Sequence, residues 1–333
     1  MRRWLCLLLL LAVPVWGLAD CRPILVSVGL SSAGVKINGR TVVNAAGVGK
    51  RAPWGIHEAA VIYETMVYQT GQTRLGCLFI SRFPDTVGPV RSARMNQFFL
   101  REEWDAALIY NGDAGSLAWT RMPEIDRSSS MLMNTQKNRN IREWTSREKG
   151  VKAPDNLSIH LAGLAETLDQ GGRNLFYQSN AADAAGTAAN QIMLDWGNDE
   201  WSVQLHYDSN QSKYLMNRNG APFLSHPSAQ KQEKAVQIAF DNVIIQYSDY
   251  EWPSRVIPVM KGLGSGRADY FLDGRLIEGT WVRDTAASPT RYLDSQGKEV
   301  LFEEGTIYIT QFPSAHTRTA VDGFVSYLHF PEE

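Results

Sequence analysis

The sequence has few cysteines, no excess of positive charge and only one long hydrophobic run. Its 333 residues include three cysteines, which are too few for a disulfide scaffold and lack the CxxC spacing of a zinc site. Lysine and arginine number 33 against 35 acidic residues, so no overall positive field favours nucleic-acid binding. The hydrophobic content of 44% is sufficient for folded cores and excludes wholesale disorder.

Common signatures of catalytic and metal sites are also missing from the sequence. None of its six histidines has an HxxxH spacing, and it contains no GxSxG elbow or cysteine–histidine nucleophile pattern. The glycine-rich stretch Gly262–Gly266 leads into a strand-like run, whereas a phosphate-binding loop requires a helix there. We therefore predict a turn at this position, and no cofactor or metal.

The one long hydrophobic run belongs to residues 1–19, which have the pattern of a secretory signal peptide. Arg2 and Arg3 precede the apolar segment Leu5–Val13, and Gly17 and Ala19 occupy the −3 and −1 positions of a cleavage site. The apolar stretch of roughly 15 residues is shorter than the ~20 that a spanning helix needs. We predict an extracytoplasmic protein that is secreted, periplasmic or lipid-anchored; a retained membrane anchor is the alternative.

Two cysteines remain after this predicted cleavage, and their chemistry stays open. Cys21 follows a segment similar to a bacterial lipobox, although Asp20 stands where a small residue is usual. Cys21 is therefore a candidate for lipidation or, in an oxidising compartment, for a disulfide with Cys77. Alternatively Cys77, which lies in an apolar run, is a buried thiol that packs as a small hydrophobic side chain.

Hydrophobic patterning divides the mature chain into two unlike halves. Residues 23–192 alternate strand-like runs with helical patterns at Val90–Trp104 and Ser158–Asp169, with a polar surface excursion at 126–152. Residues 193–314 contain short strand-like runs, and Asn219–Gly220 and Asp273–Gly274 are strong hairpin signals. We predict an α+β protein: an N-terminal α/β domain with a mixed sheet, a β-rich C-terminal domain, and an extension at 315–333.

Several segments together resemble one bacterial family. They are Glu58–Glu64, Thr73–Arg74, Val87–Arg94, Ala153–Leu157, Asn242–Tyr247, Gly264–Gly266, Thr280–Trp281 and Ser288–Tyr292. In this order they resemble the YerB-like family of predicted lipoproteins, a family of unknown function. The resemblance covers roughly residues 23–312 and implies an exported protein with an N-terminal α/β domain and a C-terminal β-rich domain.

Two positions depart from that family pattern. The pattern carries histidine near the end of the strand that here ends in Ile109 and Tyr110, and again where Asp155 stands. If these histidines perform chemistry in relatives, this chain does not share it.

The strongest candidate site is the arginine pair Arg91 and Arg94. The pattern places both in the first turn of the Val90–Trp104 helix, where the helix dipole disfavours cations unless an anion lies between them. Backbone N–H groups and two guanidinium groups would then bind a carboxylate or phosphate. The predicted ligand-binding residues are Arg74, Arg91, Ser92, Arg94, Asn111, Asn156 and His160.

Two other interpretations remain open for this region. In the first, both arginines are consumed by internal ion pairs with Glu58, Glu64 or Asp113. In the second, Glu64 and Asp113, which follow strand-like runs, serve as the acid and base of a cell-wall glycan or peptide hydrolase.

Taken together, these patterns favour a non-catalytic binding or assembly factor of the cell envelope. Its expected partner is a cell-wall component or an envelope protein, recognised through an anion-binding cleft at Arg91 and Arg94. No nucleic acid is expected, and membrane contact is expected only through a lipid anchor at Cys21.

Overall fold

The computed structural model describes residues 22–30, 35–37, 40–42, 53–113, 123, 125–151, 153–173, 186–197, 202–231, 234–253 and 257–329. The predicted signal peptide and Cys21 lie outside these residues. Strands dominate the described chain, and its α-helices are short. No helix in these ranges combines the length and apolar character that crossing a membrane requires.

The elements of the described residues follow in chain order. The strands are β1 (Ile24–Gly29), β2 (Val35–Ile37), β3 (Arg40–Val42), β4 (Val61–Met66), β5 (Thr73–Phe79), β6 (Ala107–Tyr110), β7 (Leu132–Asn134), β8 (Thr145–Arg147), β9 (Leu157–Ile159), β10 (Thr187–Ala188), β11 (Gln191–Asp195), β12 (Val203–Asp208), β13 (Lys213–Arg218), β14 (Ala221–Pro222), β15 (Leu224–Ser225), β16 (Val236–Gln237), β17 (Ala239–Phe240), β18 (Asn242–Ser248), β19 (Tyr250–Glu251), β20 (Val259–Met260), β21 (Gly264–Leu272), β22 (Arg275–Arg283), β23 (Arg291–Asp294), β24 (Ile307–Pro313), β25 (Thr317–Val321) and β26 (Phe324–Leu328). The helices are α1 (Met95–Trp104), α2 (Arg139–Arg142) and α3 (Leu161–Ala165), and a 3-10 turn covers Ile56–Glu58.

The largest sheet is mixed, and it runs through both halves of the chain, whereas the prediction placed a mixed sheet in the N-terminal domain alone. Its order is β10-β22-β21-β18-β24-β4-β5-β1-β6-β7, and β23 pairs with β22. The halves join where β24 pairs in parallel with β4, from Ile307 opposite Val61 to Gln311 opposite Thr65. Strands β18, β24, β4, β1, β6 and β7 all run in one direction, so their carboxyl ends share one sheet edge.

A core covers each face of this large sheet. On one face, α1 packs its buried residues, such as Phe98, against Leu25 and Tyr63. On the other face lies a second sheet of order β14-β13-β12-β11-β26-β25, with β17 paired to β13. The predicted C-terminal extension supplies β25 and β26, and β26 pairs in parallel with β11, so this segment is an integral part of the second sheet.

Both predicted hairpin turns are confirmed. Asn219 and Gly220 join β13 to β14, and Asp273 and Gly274 join β21 to β22. All four of these residues have positive φ angles, as a two-residue type I′ turn requires.

Three local predictions in the N-terminal half are wrong. The helix predicted from Val90 begins at Met95, because the preceding residues are extended and bond to other strands: Val90 N–H donates to the Leu157 carbonyl and Arg91 N–H to that of Ser27. The predicted 158–169 helix is β9 followed by the short α3. The 126–152 segment is not a plain excursion, since it contains β7, α2 and β8. In the first two cases tertiary pairing overrides local helical periodicity.

Candidate anion site

Three arginines, here named the arginine cluster, converge at the carboxyl edge of β1, β4 and β6. They are Arg74 on β5, Arg91 on the extended segment before α1, and Arg94, which is the N-cap of α1. Arg74 Nη1 donates to the Ser92 carbonyl at 3.0 Å, and Arg94 Nη1 reaches the same oxygen at 3.5 Å. The Ser92 carbonyl is thus a shared acceptor that brings two of the guanidinium groups together.

Backbone and hydroxyl contacts fix the segment that carries Arg91 and Ser92. Ser27 Oγ donates to the Ser92 carbonyl at 3.1 Å, and Ser92 Oγ donates to the Asn111 carbonyl at 3.0 Å. Asn111 N–H in turn donates to the Arg91 carbonyl at 2.9 Å. Ser92 and Asn111, both predicted as site residues, therefore lie at the cluster and position it.

Gly29 leaves the space that Arg91 occupies. A Cβ atom at this position would overlap the Arg91 Cγ, so the side chain of Arg91 crosses the strand end only because residue 29 has no side chain. Arg74 lies directly opposite Gly29 in the register of β1 and β5. The end of β1 is therefore shaped to admit the arginine cluster.

Burial makes the charge of the cluster costly. Arg74 is 4% exposed and Arg94 is 8% exposed. Burial, together with the neighbouring charges of Arg94 and Arg91, lowers the pKa of Arg74 to about 9. Burial also lowers the pKa of Arg94, and Tyr68, whose hydroxyl accepts from Arg94 Nη2 at 3.3 Å, opposes that shift. Within the described residues the Nε atoms of Arg74 and Arg94 have no hydrogen-bond partner.

Only one arginine of the cluster has an acidic partner in the described part of the chain. Arg91 pairs with Asp155, which is itself buried. No acidic side chain in these ranges lies within ion-pair distance of Arg74 or Arg94. Asp155 was missed as a partner, although it belongs to the Ala153–Leu157 segment that carries the family resemblance.

The predicted internal partners pair elsewhere. Glu58 lies 3.4 Å from Arg82, and Asp113 lies 3.9 Å from Lys137. Glu64 has no exposed surface, and its carboxylate accepts hydrogen bonds from Thr73, Arg218 and Tyr308. None of these acids is within ion-pair distance of the arginine cluster in the described residues, although the negative charge of Asp113 partly opposes the lowering of the Arg94 pKa by burial.

The same contacts bear on the predicted hydrolase pair. Glu64 lies on the face of β4 toward the second sheet and bonds to Arg218 of β13, whereas Asp113 follows β6. A general acid or base must reach a substrate. The burial of Glu64 leaves no route for one, so this geometry does not support catalysis by Glu64 and Asp113.

Two further predicted site residues turn away from the cluster. Asn156 Oδ1 accepts from Arg147 at 2.7 Å, and His160 Nε2 lies 3.1 Å from Ser146 Oγ. His160 lines a separate cavity of about 920 Å³ together with His57 and Lys231.

Cys77 is a free, fully buried thiol on β5. It lies opposite Val26 and Ile62 of the neighbouring strands, and burial raises its pKa well above the ordinary value of a thiol. Lipidation of Cys21 stays a prediction, because Cys21 lies outside the described residues. In the ranges that are described, no group of three or more His, Cys, Asp or Glu side chains is placed to hold a metal ion.

Two family profiles match the chain in sequence order. The first, described as the N-terminal domain of a protein of unknown function (DUF3048), matches residues 41–174. The second, described as the DUF3048 C-terminal domain, matches residues 192–309. The chain belongs to the DUF3048 family. The arginine cluster of this DUF3048 protein lies within the N-terminal match.

A solved structure agrees with this assignment. The crystal structure of YerB protein from Bacillus subtilis is similar to the DUF3048 chain with a TM-score of 0.68 and 20% sequence identity, over 88% of this chain and 91% of that one. At this identity the likeness shows the fold, and together with the profiles it confirms the predicted YerB-like family. No curated protein matches the chain.

Proposed function

We propose that this protein is an exported, non-catalytic binding or assembly factor of the cell envelope, which holds a carboxylate or phosphate group at the arginine cluster. One observation carries the proposal. Arg74 and Arg94 are both more than nine-tenths buried, and neither forms an ion pair with an acidic side chain in the described part of the chain. Arg91 adds a third guanidinium whose charge is shared with Asp155.

Electrostatics favours an anion at this place. A buried, unpaired charge is destabilising by several kcal/mol in general, and proteins compensate for it by pairing or by ligand binding. The N-terminus of the ten-residue helix α1 follows directly at Met95, and its dipole adds partial positive charge. A bound oxyanion would accept hydrogen bonds from the unpartnered guanidinium nitrogens and offset the repulsion among the three cations.

The envelope assignment rests on the leader at residues 1–19 and on the family resemblance. The full sequence has a net charge of −2 and no general attraction to polyanions, so a localised cluster of three arginines would select particular anionic groups. The proposed partner is therefore a cell-wall component or an envelope protein that presents such a group.

Titration calorimetry with inorganic phosphate and with citrate tests the anion site directly. We expect saturable binding that the Arg91→Gln/Arg94→Gln variant weakens at least tenfold, since a charged hydrogen bond contributes about 1.5–3 kcal/mol. Arg291→Gln is the matched control, because Arg291 is a surface arginine that pairs with Glu299 and lies far from the arginine cluster in the sequence. Unchanged affinity in the double variant would remove the basis of the proposal.

Retention on purified cell-wall fragments tests the partner. The wild-type protein should be retained, and the double variant should be retained less at the same salt concentration. Equal retention of both proteins, despite altered phosphate binding, would count against the cell-wall partner while leaving the anion site in place.

A further inference from the structure

A second cavity opens at the same edge of the large sheet, in the C-terminal half. Its volume is about 480 Å³, and its lining includes Asp249, Lys261, Ser265, Arg267, His316 and Arg318. One register row links it to the arginine cluster: Ala268, Gln246, Gln311, Thr65 and Arg74 lie opposite one another in turn. Four strand spacings separate Ala268 from Arg74 by about 19 Å, so the two sites are separate.

Three cations line this cavity, which is named here the His316 cavity. They differ in how far acidic side chains neutralise them and therefore in how freely they could bind a ligand. Arg318 is neutralised, because it lies 2.8 Å from Asp269 and 2.7 Å from Glu278. Lys261 lies 3.6 Å from Glu251 and is 54% exposed, so this ion pair is weak. Arg267 has no acidic side chain within ion-pair distance in the described chain, and its guanidinium stacks over the Tyr247 ring at 5.4 Å. Arg267 is thus the cation most available to a ligand.

His316 offers a hydrogen-bond acceptor beside these cations. Its Nδ1 lies 2.7 Å from the Pro313 carbonyl, and this contact assigns the proton to Nδ1 and leaves Nε2 as an acceptor. Burial lowers the pKa of His316 and thereby favours the neutral ring. The Asp249 carboxylate accepts from Ser314 Oγ and has further acceptor capacity. Both groups suit ligand hydroxyls, which donate.

Gly266 and the residues around it form a wall of the cavity. The Trp281 indole N–H donates to the Tyr247 carbonyl at 2.8 Å, and a Cβ atom at Gly266 would lie 2.6 Å from that indole nitrogen. Three segments noted in the sequence meet here, namely Asn242–Tyr247, Gly264–Gly266 and Thr280–Trp281. The absence of a side chain at residue 266 therefore preserves both the wall and the space beside it.

We infer that the His316 cavity is a second binding site, for a small anion that carries hydroxyl groups, such as a phosphorylated or carboxylated monosaccharide. Arg267 and Lys261 would bind the anionic group, while His316 Nε2 and Asp249 would accept hydrogen bonds from hydroxyls. The volume falls within the range of small-molecule sites. This site goes beyond the proposed function, since none of its residues belongs to the arginine cluster.

Calorimetry with glucose 6-phosphate, glucuronate, glucose and inorganic phosphate tests the inference on the full chain. Measured in the Arg91→Gln/Arg94→Gln background, where the cluster is weakened, glucose 6-phosphate or glucuronate should bind more tightly than glucose or phosphate. Arg267→Gln should weaken that binding at least tenfold, and Arg275→Gln, an exposed arginine on β22, should not. The absence of saturable binding of both sugar anions, or equal affinity with and without Arg267, would overturn the inference.

Two glycine-to-alanine variants provide a second test that does not remove a charge. Gly266→Ala should displace the Trp281 indole, change its fluorescence and weaken sugar-anion binding. Gly262→Ala is the control, because its nearest neighbour is the flexible end of Met260 at 3.2 Å. If Gly266→Ala alters the fluorescence and leaves the affinity unchanged, the ligand does not occupy this cavity.

Discussion

Arg91 forms an ion pair with Asp155 across 64 positions of the sequence. The two residues meet because Val90 N–H bonds to the Leu157 carbonyl at 2.8 Å, which aligns the segment before α1 with the segment before β9. Asp155 supplies one negative charge beside three guanidinium groups. Asp155 is the one acid ion-paired with the cluster in the described residues, so this pair reduces the positive charge that is left for a ligand.

Replacing Asp155 by asparagine should strengthen anion binding. Asp155 competes with a ligand for Arg91, so Asp155→Asn should raise the affinity for phosphate about tenfold, equivalent to 1.4 kcal/mol. Calorimetry at low salt measures the change. Asp241→Asn is a matched control, since Asp241 is partly buried and pairs with Lys213 at 2.6 Å. Unchanged or weaker phosphate binding by Asp155→Asn would mean that Arg91 does not contact the anion.

Replacing Arg74 by methionine should stabilise the ligand-free protein. The pKa of Arg74 is lowered to about 9 in the folded state, so the folded state disfavours the charged form. This cost is fully present below about pH 9 and fades as the pH rises from there toward the higher pKa that Arg74 has in the unfolded chain. At pH 7 we expect Arg74→Met to raise the free energy of unfolding by about 1–3 kcal/mol, after loss of the bond to Ser92.

Urea unfolding with and without phosphate measures this effect. The wild-type protein should be stabilised by phosphate, and Arg74→Met should respond much less, because it lacks one of the three guanidinium groups. A variant that is less stable than wild type at pH 7 would show that Arg74 is satisfied within the protein.

Adding a methyl group at Gly29 should disturb the cluster without changing any charge. The new Cβ would overlap Arg91 Cγ, so Gly29→Ala should displace Arg91 and weaken phosphate binding several-fold. Gly76→Ala on the neighbouring strand β5 is the control, because its Cβ would meet Leu25 at an ordinary 3.4 Å. If both variants bind phosphate equally well, Arg91 is not held by this contact.

Glu64 and Arg218 should behave as a buried structural pair. Glu64→Gln or Arg218→Met alone should lower the free energy of unfolding by about 3–5 kcal/mol, because each leaves one charged or polar partner unsatisfied between the two sheets. The double variant should recover most of the loss. Denaturation of all four proteins gives the coupling energy, and simple additivity of the two losses would contradict a direct pair.

Local signals predicted much of the fold. Asn219–Gly220 and Asp273–Gly274 fix hairpins through their backbone preferences alone, and the strand-like runs of the C-terminal half follow the same local rules. The helix start at Val90 was misplaced because Arg91 bonds to Ser27, a partner more than sixty residues away that periodicity does not show.

Local signals also predicted part of the candidate site. The sequence identified Arg91, Ser92 and Arg94 because they follow an interruption of the strand pattern. It identified Asn111 because this residue follows the end of a strand. The pairing of Arg91 with Asp155 was not, since it depends on the tertiary alignment of two extended segments. The His316 cavity was missed because its residues come from four separate stretches, between Tyr247 and Arg318, that only the sheet brings together.

The pairing of β24 with β4 has a consequence for folding during synthesis. Strand β4 (Val61–Met66) has wholly buried side chains and stays unpaired on one edge until Ile307–Pro313 has been synthesised. The N-terminal half therefore leaves the ribosome with an open hydrophobic strand edge, which is a template for aggregation. About 240 residues must follow before that edge is closed, so we expect the nascent chain to need protection of this edge until its C-terminal half arrives.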